Sequence, residues 1–202
     1  MGQEHPKYGA SGRWKAPILW AAPALLGVAV FLSPMNGEAA PARKGLPASV
    51  SGTASVIDAD TIEIAKQRIR LLGVDAPESG QKCLDANRKF YRCGSVSANA
   101  LDAWINRNPV TCAIEDTDRY GRMLGQCSVR GENVQEWLVS NGLAVAYRQY
   151  STAYVAAELQ ARAARVGLWA GEFVAPWDWR QGLRLEGEKP TKAMTSGKFA
   201  AD

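Results

Sequence analysis

The stretch from Arg68 to Glu78, RIRLLGVDAPE, most constrains what this chain can fold into: an apolar strand carrying arginines runs directly into a turn with two carboxylates. Arg70, Asp75 and Glu78 fall within nine residues. A guanidinium offers phosphate a planar fork of donors, an Asp oxygen suits a hard cation, and a nearby Glu can take a proton from water. Such a set has the chemistry to cut a phosphodiester. Arg and Asp beside a strand also make ordinary surface ion pairs, and Ala-Pro-Glu alone is an ordinary turn. Two further blocks tip the balance toward a site: VIDADT upstream, with Asp58, Asp60 and Thr61, and DRYGR downstream, with Asp118, Tyr120 and Arg122.

In this order the three blocks resemble the thermonuclease family, the staphylococcal nuclease-like domains of exported bacterial type, and the likeness runs from about Val50 to about Trp169. The family's pattern is an Asp-Gly-Asp-Thr turn, Arg-Leu-Leu-x-x-Asp-x-Pro-Glu, Asp-x-Tyr-Gly-Arg, and a Gly-Leu-Ala element before the last helix. Here these read DADT, RLLGVDAPE, DRYGR and GLA at Gly142 to Ala144. Ala59 stands where the family often has Gly, which would be strained if the turn needs a positive φ. Ala76 stands where some members have Thr, a change of little consequence if the position offers its backbone carbonyl.

The resemblance implies an α+β fold, a five-stranded OB-like β-barrel packed with three helices. It implies Asp60 and Asp75 as ligands of Ca2+, with the Ala76 carbonyl and waters completing the oxygen shell, and Asp58 and Thr61 supporting that loop from behind. Arg70 and Arg122 would hold the scissile phosphate of DNA or RNA, and Glu78 would position or deprotonate the attacking water, leaving a 3′-phosphate. Tyr120, Tyr147 and Tyr150 are candidates to stack on bases or ribose. The reading from a different class is a catalytically silent module of the same fold that binds nucleic acid or another partner, since fold does not secure function. A monomer is expected.

Charge argues for local rather than bulk recognition. The net charge is +4, yet from Met1 to Leu46 there are five Lys/Arg against two Asp/Glu, from Gln181 onward four against three, and between them fifteen against fifteen. Any phosphate-binding field in the core must come from clustering. The sole histidine is His5, ahead of the apolar segment, so no His-based nuclease, Ser-His-Asp hydrolase or His-ligated zinc site can be built in the rest.

Ala16 to Leu32 is an uncharged apolar run preceded by Lys7, Arg13 and Lys15, the arrangement of a signal peptide or an N-terminal membrane anchor. Residues 1–32 are therefore expected to export the chain, 33–47 to be a linker, 48–180 the nuclease-like domain and 181–202 a disordered tail. A periplasmic or secreted location follows, with tethering to the inner membrane through residues 16–32 if they are retained. Export suits the four cysteines, Cys83, Cys93, Cys112 and Cys127. Of three connectivities we favour Cys83 with Cys93 and Cys112 with Cys127, because a turn at DRYGR sets the second pair opposite each other in a hairpin. Four thiolates without paired short spacings make zinc the weaker alternative.

Periodicity places the rest. Ser51 to Ile64 alternates as a strand broken by a carboxylate turn, and Gln67 to Val74 reads as the next strand. Strict alternation would put Arg70 and Asp75 on opposite faces, unless the strand ends near Val74 or Gly73 supports a bulge. Gly94 to Asn106 reads as a helix with Val96, Ala100, Leu101, Trp104 and Ile105 inward. Val110 to Glu115 and Met123 to Val129 make the hairpin, and Asn133 with Glu136 opens a short helix that Gly142 ends. The longest helix is expected over 153–166, capped by Ser151 or Thr152. Trp177 and Trp179 are expected to clamp the C-terminal tail onto the domain.

Overall fold

The protein is described by a computed structural model covering residues 45–188. The expected signal or anchor helix, nearly all of the linker and the last part of the tail lie outside the described residues.

The strands are β1 (Ser49–Asp58), β2 (Thr61–Ile64), β3 (Gln67–Leu71), β4 (Val74–Asp75), β5 (Cys83–Leu84), β6 (Phe90–Tyr91), β7 (Pro109–Thr117), β8 (Met123–Val129), β9 (Glu132–Asn133) and β10 (Val145–Ala146). The helices are α1 (Cys93–Ile105), α2 (Val134–Ser140), α3 (Val155–Ala164) and the five-residue α4 (Pro176–Arg180), with a 3-10 turn at Gly167–Ala170. β3, β2, β1, β7 and β8 neighbour one another in that order through antiparallel pairs, and a parallel pairing of β3 with β8 closes the ring. Closure removes the free edges that an open sheet would expose. The result is the five-stranded barrel with helices that the resemblance implies, with α4 as a helix beyond the expected three.

Alternation explains the barrel strands. In β7 every second residue from Val110 to Ile114 is buried and its neighbours face out, the period-2 pattern of a half-buried strand. Ile62, Ile69, Leu71, Val110, Ile105 and Leu138 belong to one buried cluster that fills the barrel and seats α1 and α2 against it. A second cluster joins Cys83, Cys93, Val145, Ala161, Leu168, Trp169 and Phe173, tying the loop after Glu78 to α3 and the C-terminal segment.

Both favoured disulfides are present, Cys83–Cys93 and Cys112–Cys127. In the second, Cys112 and Cys127 are direct cross-strand partners of the β7–β8 hairpin. Asn133 caps α2 as expected, its side-chain oxygen accepting from the Glu136 amide at 2.8 Å.

Three local expectations are corrected. Val96 points outward, 49% exposed, because α1 buries Cys93, Gly94, Ser97, Leu101 and Ile105 instead. Among the described residues the longest helix is α1, since α3 begins only at Val155, with Tyr154 as N-cap and no side-chain cap bond. Ser151 Oγ accepts from the Ala153 amide in the turn before it. β3 ends at Leu71 rather than near Val74, as the chain turns through Gly73 at φ +80°.

The Cys112–Cys127 bridge closes a loop of 15 residues. Replacing both cysteines by serine should lower unfolding free energy by on the order of 3 kcal/mol, read as a lower urea midpoint. A variant as stable as the parent would contradict this.

Candidate active site

Strand pairing brings the first charges together. Thr61 of β2 lies opposite Arg70 of β3, so Arg70 stands beside the turn that carries Asp60. The DADT turn needs no positive φ, as Ala59 adopts none and is fully buried; the expected strain does not arise. The Gly73 turn then swings β4 back, pairing Asp75 with Val145 of β10. A Cβ on Gly73 would meet the Ser151 Cβ at 2.8 Å in addition to the unfavourable φ. This reversal is what carries Asp75 to Arg70 despite their unlike strand parity.

The resulting network is dense. Arg70 Nη1 donates to Asp60 Oδ1 and Nη2 to Asp75 Oδ1, both at 2.6 Å. Asp60 Oδ1 also accepts from the Thr61 hydroxyl at 3.1 Å, and Oδ2 from the Ala76 amide at 2.9 Å. Asp75 is fully buried. Burial pushes its carboxyl pKa upward and the Asp60 charge adds to that, while the bond from Arg180 and the charges of Arg180 and Arg70 oppose the push. Burial likewise works against the Arg70 charge but is outweighed by Asp60 and Asp75. Asp58 is pushed up to about 6, first by burial and then by the neighbouring Asp60 and Glu78 carboxylates.

Glu78 is held from behind. Its amide donates to Gln81 Oε1 at 3.2 Å, and its carbonyl accepts from the Gln81 amide at 2.7 Å. Gln81 in turn donates to the Val174 carbonyl at 2.7 Å. The first turn of α1 packs onto this loop so closely that a Cβ on Gly94 would sit 1.9 Å from the Glu78 carbonyl oxygen, and the Cys83–Cys93 bridge fixes that approach.

Arg122 stands apart from the network. Its Nε donates to Asp118 Oδ2 at 2.7 Å, and its amide to Asp118 Oδ1 at 3.0 Å. These bonds overcome the effect of burial and hold the Asp118 carboxyl below its usual pKa. Arg122 also acts on Asp58 electrostatically, and it directly precedes β8, whose Met123 and Leu124 lie beside Ile69 and Arg70 of β3. Tyr120 is exposed, with the Arg119 and Arg122 guanidiniums 4.9 and 5.6 Å from its ring centroid. Burial and the Asp75 charge raise the Tyr147 pKa, and the Tyr147 amide donates to the Gly73 carbonyl at 2.9 Å, next to β4; the exposed Tyr150 meets the Tyr147 ring edge-on at 4.9 Å.

One residue of the network was not singled out by its sequence. Arg180, the last residue of α4, donates from Nη2 to Asp75 Oδ2 at 2.7 Å and from Nη1 to Asp75 Oδ1 at 3.1 Å and Glu78 Oε1 at 2.8 Å. Trp177 of the same helix stacks on Tyr147 at 5.3 Å between centroids and 10° between planes, so it anchors α4 beside the acids. Trp179 packs under the Arg184 guanidinium, 4.0 Å from its ring centroid, and the turn at Gly182 and Leu183 bonds back to Trp179 and Asp178. The only signal in the sequence was a cation directly after that aromatic pair.

The donors suit a divalent hard cation in kind: two buried carboxylates and a neighbouring backbone carbonyl are oxygen ligands. The charge also fits. Asp58, Asp60, Asp75 and Glu78 face Arg70 and Arg180, a surplus of two negative charges, while Arg122 is matched by Asp118. In the arrangement present, guanidinium groups bridge these acids, and among the described residues no three metal-ligating side chains are gathered around one point.

Comparison with known proteins agrees with this architecture. A family model described as "Staphylococcal nuclease homologue" matches residues 68–171, and the chain belongs to that family. It is 42% identical over 131 residues to "Succinoglycan biosynthesis protein ExoI" of Rhizobium meliloti (strain 1021), covering 63% of this chain and 69% of the relative. It is 38% identical over 133 residues to an "Uncharacterized endonuclease" of Escherichia coli O157:H7, covering 62% and 80%. A rice protein, "Probable staphylococcal-like nuclease CAN3" of Oryza sativa subsp. japonica, is 34% identical over 128 residues, covering 62% of this chain and 31% of that protein.

Gly94 tests how tightly Glu78 is held. Gly94→Ala should destabilise the fold by about 1–3 kcal/mol, since the new methyl group overpacks a backbone contact. Urea unfolding should show the loss, and an unchanged midpoint would mean that the α1 approach is not close.

Proposed function

We propose that this protein is a calcium-dependent, largely sequence-nonspecific nuclease that hydrolyses phosphodiester bonds of DNA or RNA. The observation that carries the reading is the convergence of Asp60, Arg70, Asp75 and Glu78 through bonds of 2.6 to 3.1 Å, counting those of Arg180. Family membership and relatives named as nucleases support the same class.

Asp60, Asp75 and the Ala76 carbonyl would hold the cation. When bound, calcium supplies Lewis-acid stabilisation of the phosphate oxygens. Arg70 spends two of its five N–H donors on Asp60 and Asp75, leaving the rest of the fork to bind and orient the phosphate. Arg122 reaches the phosphate from the β7–β8 hairpin, with Asp118 fixing its direction. Both arginines stabilise charge that grows on the phosphate oxygens in the transition state. Glu78 accepts the proton of a water whose oxygen attacks phosphorus. The bond to the 5′ oxygen breaks, that oxygen takes a proton from solvent, and the products are a 3′-phosphate and a 5′-hydroxyl. Tyr120 and Tyr147 offer ring faces at the rim for a base or ribose. Asp58 and Thr61 hold the Asp60 loop, and the chain acts as an exported monomer.

Oxidised full-length chain incubated with single-stranded DNA and with RNA should cut in calcium and stop in chelator. Glu78→Gln should lose about 10²- to 10⁴-fold in kcat, the usual worth of a positioned proton acceptor, while unfolding at the same temperature. Folded parent that binds strands without cutting them in any of several divalent metals would identify a binding module instead. Asp118→Asn should lower kcat/KM through Arg122, by less than Arg122→Ala does. Equal losses would mean that Asp118 does more than orient its partner.

A further inference from the structure

Asp75 accepts three hydrogen bonds, all of them from arginine. Its Oδ1 accepts from Arg70 and Arg180, but its Oδ2 accepts from Arg180 at 2.7 Å, and no Arg70 bond reaches it. The same Arg180 Nη1 also holds Glu78 Oε1 at 2.8 Å. The Oδ2 oxygen is thus the one a cation could take without disturbing the Arg70 bridge, and it is the one α4 covers. A guanidinium and a divalent cation repel strongly at such separation, so they cannot share the oxygen.

We propose that Arg180 competes with the divalent cation for Asp75, so that the cation enters the site by displacing the Arg180 guanidinium, which frees Glu78 in the same step. This rests on the nuclease reading above and adds a residue that lies outside the 68–171 segment matched by the family model. The geometry of the segment suits an exchange. Its backbone is pinned by the Gln81 bond to the Val174 carbonyl, by fully buried Phe173 and by the Trp177–Tyr147 stack, so the arginine is always within reach. The side chain itself is 36% exposed, so it can turn out to solvent without unseating the helix. Charge favours the exchange: with Arg180 in place the four acids exceed the two guanidiniums by two negative charges, and a divalent cation in place of Arg180 would cut that excess to one.

Calcium titration calorimetry of the oxidised full-length chain, without nucleic acid, tests this on the parent, Arg180→Gln and Arg180→Lys. Arg180→Gln should bind calcium at least about tenfold more tightly, and saturating calcium should raise its melting temperature by more than it raises the parent's. Arg180→Lys keeps the charge and loses the two-point fork, so its affinity should fall between the two. If Arg180→Gln does not fold, Arg180→Lys decides alone: tighter binding supports the exchange, and equal or weaker binding overturns it. Unchanged or weaker calcium binding by folded Arg180→Gln, with a raised KM for single-stranded DNA, would overturn the exchange and assign Arg180 to the substrate phosphate, leaving the nuclease reading intact. Failure of every protein to bind calcium would bring down the calcium reading itself and this inference with it.

Discussion

The Arg70 guanidinium, held between Asp60 and Asp75, is the contact on which the site depends. Its side chain is 18% exposed and the two acids 6% and 0%, so the three charges are largely withdrawn from water. A buried pair of this kind contributes little net stability compared with apolar packing, but removing one member leaves uncompensated charge and costs about 3–5 kcal/mol. Here the loss would be sharper in kind, because two carboxylates would then face each other. Arg70 therefore sets the distance between the acids and, through β3, ties that distance to the closure of the barrel.

Much of this was readable because it is local. The DADT and RLLGVDAPE blocks sit on strands joined by a short turn, so adjacency in sequence becomes adjacency in space. The Cys112–Cys127 bridge was legible for a similar reason, since a hairpin centred on DRYGR fixes its own register. The parity conflict between Arg70 and Asp75 was visible too, and its resolution lay at the glycine between them. The outward turn of Val96 was not, because helix periodicity ranks apolar residues without knowing that Gly94 must face the Glu78 backbone. Arg180 was out of reach for a different reason: it meets Asp75 across 105 residues, and α4 is too short to announce itself through any repeat.

Glu78 shows how much of a site lies in what holds it. Gln81 clasps its backbone on one side and the Val174 carbonyl on the other, so the same amide that steadies the carboxylate loop also registers the segment leading to α4. The Cys83–Cys93 bridge, itself inside the second apolar cluster, locks the loop to the start of α1. Two regions distant in sequence are thereby positioned by one small set of groups, as a preorganised site requires.

The parallel closure of β3 onto β8 has a bearing on the order in which the chain acquires its chemistry. Asp60, Arg70, Asp75 and the Ala76 amide meet across separations of 5, 10 and 16 residues, contacts whose loop entropy is small. Arg122 comes alongside only when Arg70 and Leu124 become strand partners, a pairing that spans the whole of α1 and β7 and so belongs to the slower, non-local part of folding. The acids thus find their internal bridge early, whereas the second arginine arrives with the finished barrel. The short-range contacts among the acids and the long-range placement of Arg122 thus enter one structure at very different costs in loop entropy.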